Sequence, residues 1–198
     1  MRSDSDLRTT LFFLFLTTIY MDQDHRDVDW WTIYPSHEGT THRRNLARFI
    51  DFATKLFRQQ FKDNLLERHT PAKKSAFERW AGRDPSFTNQ TNTVRLNPVY
   101  RRRLPGKHVL VVDDFTTAGY SFECARNLLL IGGARRVTCA SFGCYGTRHS
   151  IHTPKREGQW DPWNPNTFRS DEFYVDICEG MTAPGVLEDF VRLLEAYS

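Results

Sequence analysis

The sequence predicts an α/β protein in which helices cover both faces of a doubly wound, mostly parallel sheet. Two segments support this fold class, because each combines a strand-like apolar run, a turn of small residues and a helix-like stretch. The first has a strand at 29–34 and apolar residues at a helical period over 45–61. The second has the run VLVV at 109–112 and a helix-like stretch at 122–130. Parallel strands need crossover connections of this kind.

The apolar run LFFLFLTTIY at 11–20 is too short to span a bilayer. A signal peptide would have a cationic leader and a small-residue cleavage site, whereas this leader carries Asp4 and Asp6. We therefore expect a buried strand or helix that packs on the sheet of a cytoplasmic protein, with no membrane partner.

Residues 63–105 interrupt the alternation of strands and helices. A short helix at 72–80 and a strand at 93–96 are predicted within this segment. Turns that contain proline follow at 97–98 and 104–106.

The rest of the chain completes the α/β pattern. Gly132 and Gly133 are expected to end the second helix. Strands at 136–142 and 172–177 and an amphipathic helix at 184–197 follow. With 198 residues and neither a repeat nor a low-complexity linker, the chain 1–198 is expected to form one domain.

Charge and cysteine content limit the function classes. A net charge of +3 is too small to indicate a nucleic-acid partner by itself, although it does not exclude one, and the basic run at 101–103 has no assigned role. The four cysteines lack paired C-x-x-C spacing, which favours reduced thiols in an intracellular protein. A metal site would have to draw on residues whose spacing gives it little support: Cys139, Cys144, His149 and His152.

The most informative segment reads VLVVDDFTTAGYS at 109–121. An apolar strand leads into the carboxylates Asp113 and Asp114, and Gly119 permits a tight turn whose N–H groups converge. Hydroxyl groups and the positive end of the next helix add to a cradle suited to a phosphate monoester. The acids would then lie where a sugar attached to that phosphate presents its diol. The alternative is a strand that ends in an acidic helix cap.

This segment resembles the ribose-phosphate loop of the type I phosphoribosyltransferases. The stretch Arg43-Arg44-Asn45, which follows a strand and a proline, is similar to the ComF-like members of that family. The resemblance implies that Asp113 and Asp114 are the catalytic acids, which hold the ribose hydroxyls directly or through Mg²⁺. It also implies a phosphate loop, residues 116–121, with the members Thr116, Thr117, Ala118, Gly119, Tyr120 and Ser121. Ala118 departs from the family, which usually has Thr or Ser there, so one side-chain donor is missing.

The same resemblance assigns roles to two earlier segments. The loop after the first strand, here called the pyrophosphate loop, would hold the leaving group through Ser36, His37, Glu38, Gly39, Arg43 and Arg44. Residues 63–105 would form a small irregular hood, or flap, that shields the reacting centre from water. Dimers are common in this family, so a homodimer is among the expectations.

The function implied is the transfer of ribose 5-phosphate from 5-phosphoribosyl 1-pyrophosphate to a nitrogenous acceptor, with Mg²⁺ as the cofactor and pyrophosphate as the leaving group. The alternative is a non-catalytic phosphoribosyl- or nucleotide-binding module with a regulatory or DNA-processing role, which the substitution at Ala118 favours slightly. A phosphorylated receiver domain is discounted, because its acid pair would follow an early strand. Trp160 and Trp163 either pack a loop against the core or form a stacking wall for a planar base.

Overall fold

The computed structural model describes residues 4–22, 25, 27–37, 44–72, 87–145, 148–156, 158 and 160–179. The predicted helix at 184–197 lies outside these residues, as does all but Ala72 of the helix predicted at 72–80. Of the residues assigned to the pyrophosphate loop, Glu38, Gly39 and Arg43 also lie outside the described part.

The centre of the fold is a four-stranded parallel sheet with the order β2-β1-β5-β6. Its strands are β1 (Trp30–Ile33), β2 (Gln60–Phe61), β5 (His108–Thr116) and β6 (Arg136–Cys144). In the register of β1 and β5, Trp30 lies opposite Val109 and Ile33 lies opposite Val112. Chain order reverses between β1 and β5, the two central strands, so the loops that follow them diverge and leave room between them.

Helices connect these parallel strands. After α1 (Asp4–Met21), helix α2 (Arg44–Leu56) joins β1 to β2, and α4 (Tyr120–Ile131) joins β5 to β6. A short helix, α3 (Thr88–Thr91), precedes the strand β4 described below. Within the described part of the chain, no helix is both long enough and apolar enough to cross a membrane.

The side chains of β1 and β5 alternate between two cores on opposite faces of the sheet, as the period of a strand requires. On one face, Val109 and Val111 pack in a core that includes Leu128 of α4. On the other face, Leu110 and Val112 pack with residues of α1 and α2. The predicted α/β class is therefore confirmed in the form of a four-stranded parallel sheet flanked by helices.

The apolar run at 11–20 forms most of α1, so of the two predicted forms the helix is the one observed. Phe12 stacks on Phe49 of α2, with 4.0 Å between ring centroids. Phe15 stacks on Phe142 of β6 at 4.4 Å. Because these rings of α1 contact both α2 and β6, α1 covers the core on this face of the sheet.

Two antiparallel pairs lie beside the main sheet. The first consists of β3 (Leu66–Arg68) and β4 (Val94–Leu96), which confirms the strand predicted at 93–96. The second pairs β7 (Arg148–Pro154) with β8 (Phe173–Glu179). The strand predicted at 172–177 corresponds to β8, which begins one residue later, whereas β7 was not predicted from the sequence.

Two predicted boundaries were wrong. The helix predicted over 45–61 ends at Leu56, because Arg58 adopts the left-handed conformation with φ of 54° and the chain then enters β2. Strand β5 continues beyond the apolar run to Thr116, since β6 pairs with it as far as Cys144. Asp113, Asp114 and Thr116 therefore belong to the strand rather than to the loop.

Candidate functional site

The carboxyl ends of β1 and β5 meet at one edge of the sheet. The Tyr34 N–H donates to the Val112 carbonyl at 2.9 Å, which extends the pairing of the two strands up to the acid pair. Residues that follow β1 and β5 are thereby brought to the edge at which α/β proteins commonly bind ligands.

The acid pair, Asp113 and Asp114, lies near the end of strand β5, just before the phosphate loop. Asp113 is 4% exposed and Asp114 is half-buried. The Asp114 N–H donates to Asp113 Oδ1 at 2.9 Å, and the Phe115 N–H donates to Asp114 Oδ1 at 2.7 Å. Each carboxyl group therefore accepts a hydrogen bond from the backbone N–H of the residue that follows it.

The turn from β5 into α4 is made by a glycine. Gly119 is the residue before α4 and adopts a left-handed conformation with φ of 78° and ψ of 6°. Gly119 has no side chain that could cap the helix. Tyr120 and Ser121 are the first residues of α4, at the end where the helix dipole is positive.

Backbone hydrogen bonds hold this turn on two sides. The Thr116 carbonyl accepts from the Tyr145 N–H at 2.8 Å, and the Ala118 carbonyl accepts from the Ser150 N–H at 3.0 Å. The phosphate loop is therefore tied both to the end of β6 and to β7. These two hydrogen bonds hold the backbone of the turn in place.

His149, on β7, lies directly over the phosphate loop. A Cβ atom at Gly119 would overlap the imidazole ring of His149, so only glycine permits this contact. The ring nitrogen Nε2 lies 3.4 Å from Glu123 Oε1 on α4. His149 was not predicted to contact this loop, because the Gly-, Thr- and His-rich stretch that contains it carries no local signal for such a contact.

Glu123 anchors β7 to α4. Its carboxylate receives two hydrogen bonds from Arg126, at 3.0 and 2.6 Å, and one from the backbone N–H of His152 at 3.2 Å. Burial would raise the pKa of Glu123, but hydrogen bonds from His149 and Arg126 and the charge of Arg126 outweigh it and lower the pKa to about 2. The ionised form of Glu123 is therefore built into the native structure.

On the other side of the edge, the structure describes the first part of the pyrophosphate loop. The Ser36 carbonyl accepts from Arg68 Nε at 2.7 Å, and the His37 carbonyl accepts from the Ala72 N–H at 2.9 Å. Arg44 begins α2, and its side chain lies outside the described part. The structure thus places Ser36 and His37 at the carboxyl end of β1, on the opposite side of the edge from Gly119.

Arg68 is a buried cation that sequence reasoning missed. Its side chain is 8% exposed and also donates to Gln90 Oε1 at 2.9 Å and to the hydroxyl of Thr93. All of these acceptors are neutral, and among the described residues Arg68 forms no ion pair. A buried charge that has no counterion among the described residues favours the binding of an anion.

Tyr34 connects Arg68 with the acid pair. Its hydroxyl donates to the same Gln90 oxygen at 2.9 Å, and the Arg68 guanidinium lies 5.7 Å from the centroid of its ring. Burial, the neighbouring Cys124 and the charge of Asp113 raise the pKa of Tyr34 well above its ordinary value, although Arg68 opposes this. Burial also raises the pKa of the Cys124 thiol to about 12, which makes it a packing residue rather than a nucleophile.

No protein-family model matches this chain, and comparison with curated proteins finds no match.

Trp160 and Trp163 do not line the edge. They are 3% and 7% exposed, and Trp160 makes an edge-on contact with Phe168 at 5.0 Å between ring centroids. Both indoles belong to the core on the α4 face, as the loop-packing interpretation predicts.

Among the residues that the structure describes, no group of three or more His, Cys, Asp or Glu side chains could hold a metal ion. The set of Cys139, Cys144, His149 and His152 is thus not assembled. Mg²⁺ commonly binds through one or two carboxylates, with water and substrate phosphates as its other ligands. Asp113 and Asp114 fit that donor set.

Proposed function

We propose that the chain is a phosphoribosyltransferase of type I that binds 5-phosphoribosyl 1-pyrophosphate at the carboxyl edge of β1 and β5. The observation that carries the proposal is the conjunction at the end of β5, where a buried carboxylate, Asp113, is followed by the left-handed Gly119 at the start of α4. A phosphate and the sugar attached to it need these two features side by side. The proposal includes the doubly wound arrangement of strands and helices that is typical of this family.

Each part of the donor has a counterpart among the described residues. The 5′-phosphate would accept hydrogen bonds from the backbone of Thr117, Ala118 and Gly119 and from the first residues of α4. The ribose hydroxyls would face Asp113 and Asp114. The pyrophosphate would lie toward Ser36 and Arg68, where the hydrogen-bond acceptors of a buried positive charge are all neutral among the described residues.

The reaction requires positioning and electrostatic stabilisation rather than a protein nucleophile. The bond from the anomeric carbon to pyrophosphate breaks with its electron pair on the leaving oxygen. The acceptor nitrogen forms the new bond and releases its proton to solvent. The acid pair would stabilise the positive charge that develops on the sugar, and Arg68 would stabilise the leaving anion. When bound, Mg²⁺ would neutralise further charge on the pyrophosphate.

A non-catalytic nucleotide-binding module is the second candidate. The missing hydroxyl at Ala118 favours it slightly, because one side-chain donor to the phosphate is lost. In this alternative the chain would bind a nucleoside monophosphate and serve a regulatory or DNA-processing role without releasing pyrophosphate.

Release of pyrophosphate distinguishes the two candidates. The chain is incubated with 5-phosphoribosyl 1-pyrophosphate, Mg²⁺ and a panel of purines, pyrimidines and small amines. A transferase releases pyrophosphate with at least one acceptor, and the doubly substituted Asp113→Asn, Asp114→Asn protein does not. Binding of a nucleoside monophosphate without turnover of any acceptor would establish the binding module instead. Failure to bind the donor, ribose 5-phosphate or a nucleotide would reject both.

A further inference from the structure

Basic side chains gather at the amino edge of the main sheet, opposite the edge that carries the acid pair. They come from three segments of the chain and are here called the basic surface, which consists of Lys62, Arg101, Arg102, Arg103, Lys107, Arg135 and Arg136. The run at 101–103 is exposed, and within the described part of the chain it forms no ion pair. Because the net charge of the whole chain is only +3, this grouping is a property of the fold rather than of the composition.

Backbone hydrogen bonds bring two of these segments together. The Gly106 N–H donates to the Gly133 carbonyl at 2.8 Å, and the Arg135 N–H donates to the Lys107 carbonyl at 2.8 Å. The turn that leads into β5 is thereby joined to the turn that leads into β6. Since β5 and β6 are parallel, both turns lie at the amino ends of their strands, on the same edge of the sheet.

Two buried aromatic rings hold the cations in place. Trp30 is 4% exposed and Tyr100 is 8% exposed, and their rings meet edge-on with 5.7 Å between centroids. The ammonium groups of Lys62 and Lys107 lie 5.4 and 5.9 Å from the centroid of the Trp30 ring. The Arg103 guanidinium lies 5.0 Å from the centroid of the Tyr100 ring. Cation–π contacts stabilise a charge without neutralising it, so these groups keep their charge for an anion.

Acidic residues balance part of the positive charge. Lys107 pairs with Asp29 at 3.4 Å, and Arg135 pairs with Asp27 at 4.0 Å. The pKa of Lys62 is lowered, first by burial and then by the positive charge of Arg103. Like charges that the fold holds close together repel one another, and a bound polyanion relieves this repulsion.

The basic surface is wide enough to follow several phosphates. Lys62 directly follows β2, at one side of the four-stranded sheet, and Arg136 begins β6 at the other side. Neighbouring strands lie about 4.8 Å apart, so the four strands span roughly 14 Å. Phosphates of one strand of a duplex repeat about every 3.4 Å along its axis, so this width corresponds to roughly four of them. A single phosphate monoester would contact only a part of the basic surface.

We propose that the basic surface binds the phosphodiester backbone of a nucleic acid without recognising its bases. The inference goes beyond the proposed function, because both candidate functions place a small phosphate ligand at the opposite edge of the sheet. Most of the side chains are arginines, whose planar guanidinium groups match the geometry of phosphate oxygens. The rings of Trp30 and Tyr100 are buried beneath the cations, so they are not placed to stack on a base. Contacts to phosphate are therefore the recognition that these residues support.

Fluorescence anisotropy tests the proposal with labelled single-stranded DNA, duplex DNA and RNA of equal length and mixed sequence, each titrated with the full chain at several salt concentrations. The logarithm of the affinity should fall linearly with the logarithm of the salt concentration. Each phosphate contact contributes about 0.7 to 0.9 to the slope, so loss of three should reduce it by between about 2 and 3. The variant that removes three is Arg101→Gln, Arg102→Gln, Arg103→Gln. The nucleic acid that binds most tightly identifies the form that the surface prefers.

Two further variants make this test specific. The control removes the same charge at exposed positions outside the basic surface, by Arg48→Gln, Lys155→Gln and Arg156→Gln, and should keep the slope of the unsubstituted protein. The variant Arg135→Gln, Arg136→Gln should reduce the slope by between about 1 and 2, and it retains the test if the first variant is not folded by circular dichroism.

The proposal is overturned if no nucleic acid binds at low salt, or if the variant at 101–103 and the control lose slope alike. Polyglutamate or vesicles of anionic lipid that compete equally well would also overturn it. Displacement by a nucleoside monophosphate would locate the nucleic acid at the carboxyl edge and reject the basic surface. Asp113→Asn combined with Asp114→Asn should retain nucleic-acid binding, so failure of the proposed function and failure of this inference are measured separately.

Discussion

The imidazole ring of His149 lies against the backbone of Gly119, at the left-handed residue that begins helix α4. The contact joins a residue of β7 to the centre of the phosphate loop. Because no Cβ atom fits between them, Gly119 serves both the conformation of the turn and the approach of the ring.

Substitution of both residues separates these two roles of Gly119. Gly119→Ala should destabilise the fold by more than about 1 kcal/mol, the ordinary cost of a left-handed alanine. In a His149→Ala background the overlap is absent, so the same substitution should cost only that conformational part. Urea denaturation of the four proteins measures the coupling. Additive effects would mean that the ring moves aside freely.

The ionised Glu123 should make stability depend on pH in the acid range. Its pKa is lowered from an ordinary value of 4.5 to about 2, so its stabilising effect is complete above about pH 4.5 and is lost as pH falls toward 2. The shift corresponds to about 3 kcal/mol. Glu123→Gln should therefore be less stable than the unsubstituted protein at pH 7, and the difference should shrink between pH 4.5 and 2. Denaturant unfolding across that pH range measures the stability of both proteins. A stability difference that stays the same at every pH would contradict the prediction.

Asp113→Asn combined with Asp114→Asn should weaken Mg²⁺-dependent binding of 5-phosphoribosyl 1-pyrophosphate without unfolding the protein. The amides keep the shape of the carboxylates but lose the charge that the metal and the sugar require. Titration calorimetry with and without Mg²⁺ measures the effect. Asp176→Asn, at an exposed position on β8, is the control for loss of a charge. Equal donor affinities in the double variant and the control would remove the central claim of the proposed function.

Arg68→Met should weaken binding of pyrophosphate and of the donor while leaving ribose 5-phosphate nearly unaffected. The substitution removes a buried charge whose hydrogen-bond acceptors among the described residues are neutral, and a charged hydrogen bond contributes about 1.5–3 kcal/mol. That corresponds to a loss of roughly 10-fold to 100-fold in affinity. Arg95→Met is the matched control, because Arg95 lies in the neighbouring strand and pairs with Glu67 at 3.4 Å. If both variants lose affinity alike, Arg68 acts only through general charge.

Local sequence pattern predicted the elements that have a strong pattern of their own. The apolar run at 109–112 marks the central strand, and the helical period after residue 45 marks α2. Strand β2 has two residues, Gln60 and Phe61, and exists because β1 offers it an edge to pair with. Strand β7 carries the polar sequence RHSIHTP, and pairing with β8 and attachment to Glu123 give it its form.

The same distinction applies to the candidate site. Asp113, Asp114 and Gly119 are neighbours in sequence, so their order alone suggested a common purpose. Arg68 and His149 reach the edge only through tertiary structure. Arg68 bonds to the Ser36 carbonyl 32 residues away, and His149 faces Glu123 across 26 residues. No local period or spacing encodes such contacts.

The alternation of β5 between two cores has a consequence for how this site is specified. Val109 and Val111 face one core while Leu110 and Val112 face the other, and the acids follow immediately. A slip of one residue would turn every one of these side chains to the wrong face. Packing in the two cores thus fixes the position of the carboxylates at the edge of the sheet. The carboxylates cannot shift along the strand unless the apolar side chains of β5 leave both cores.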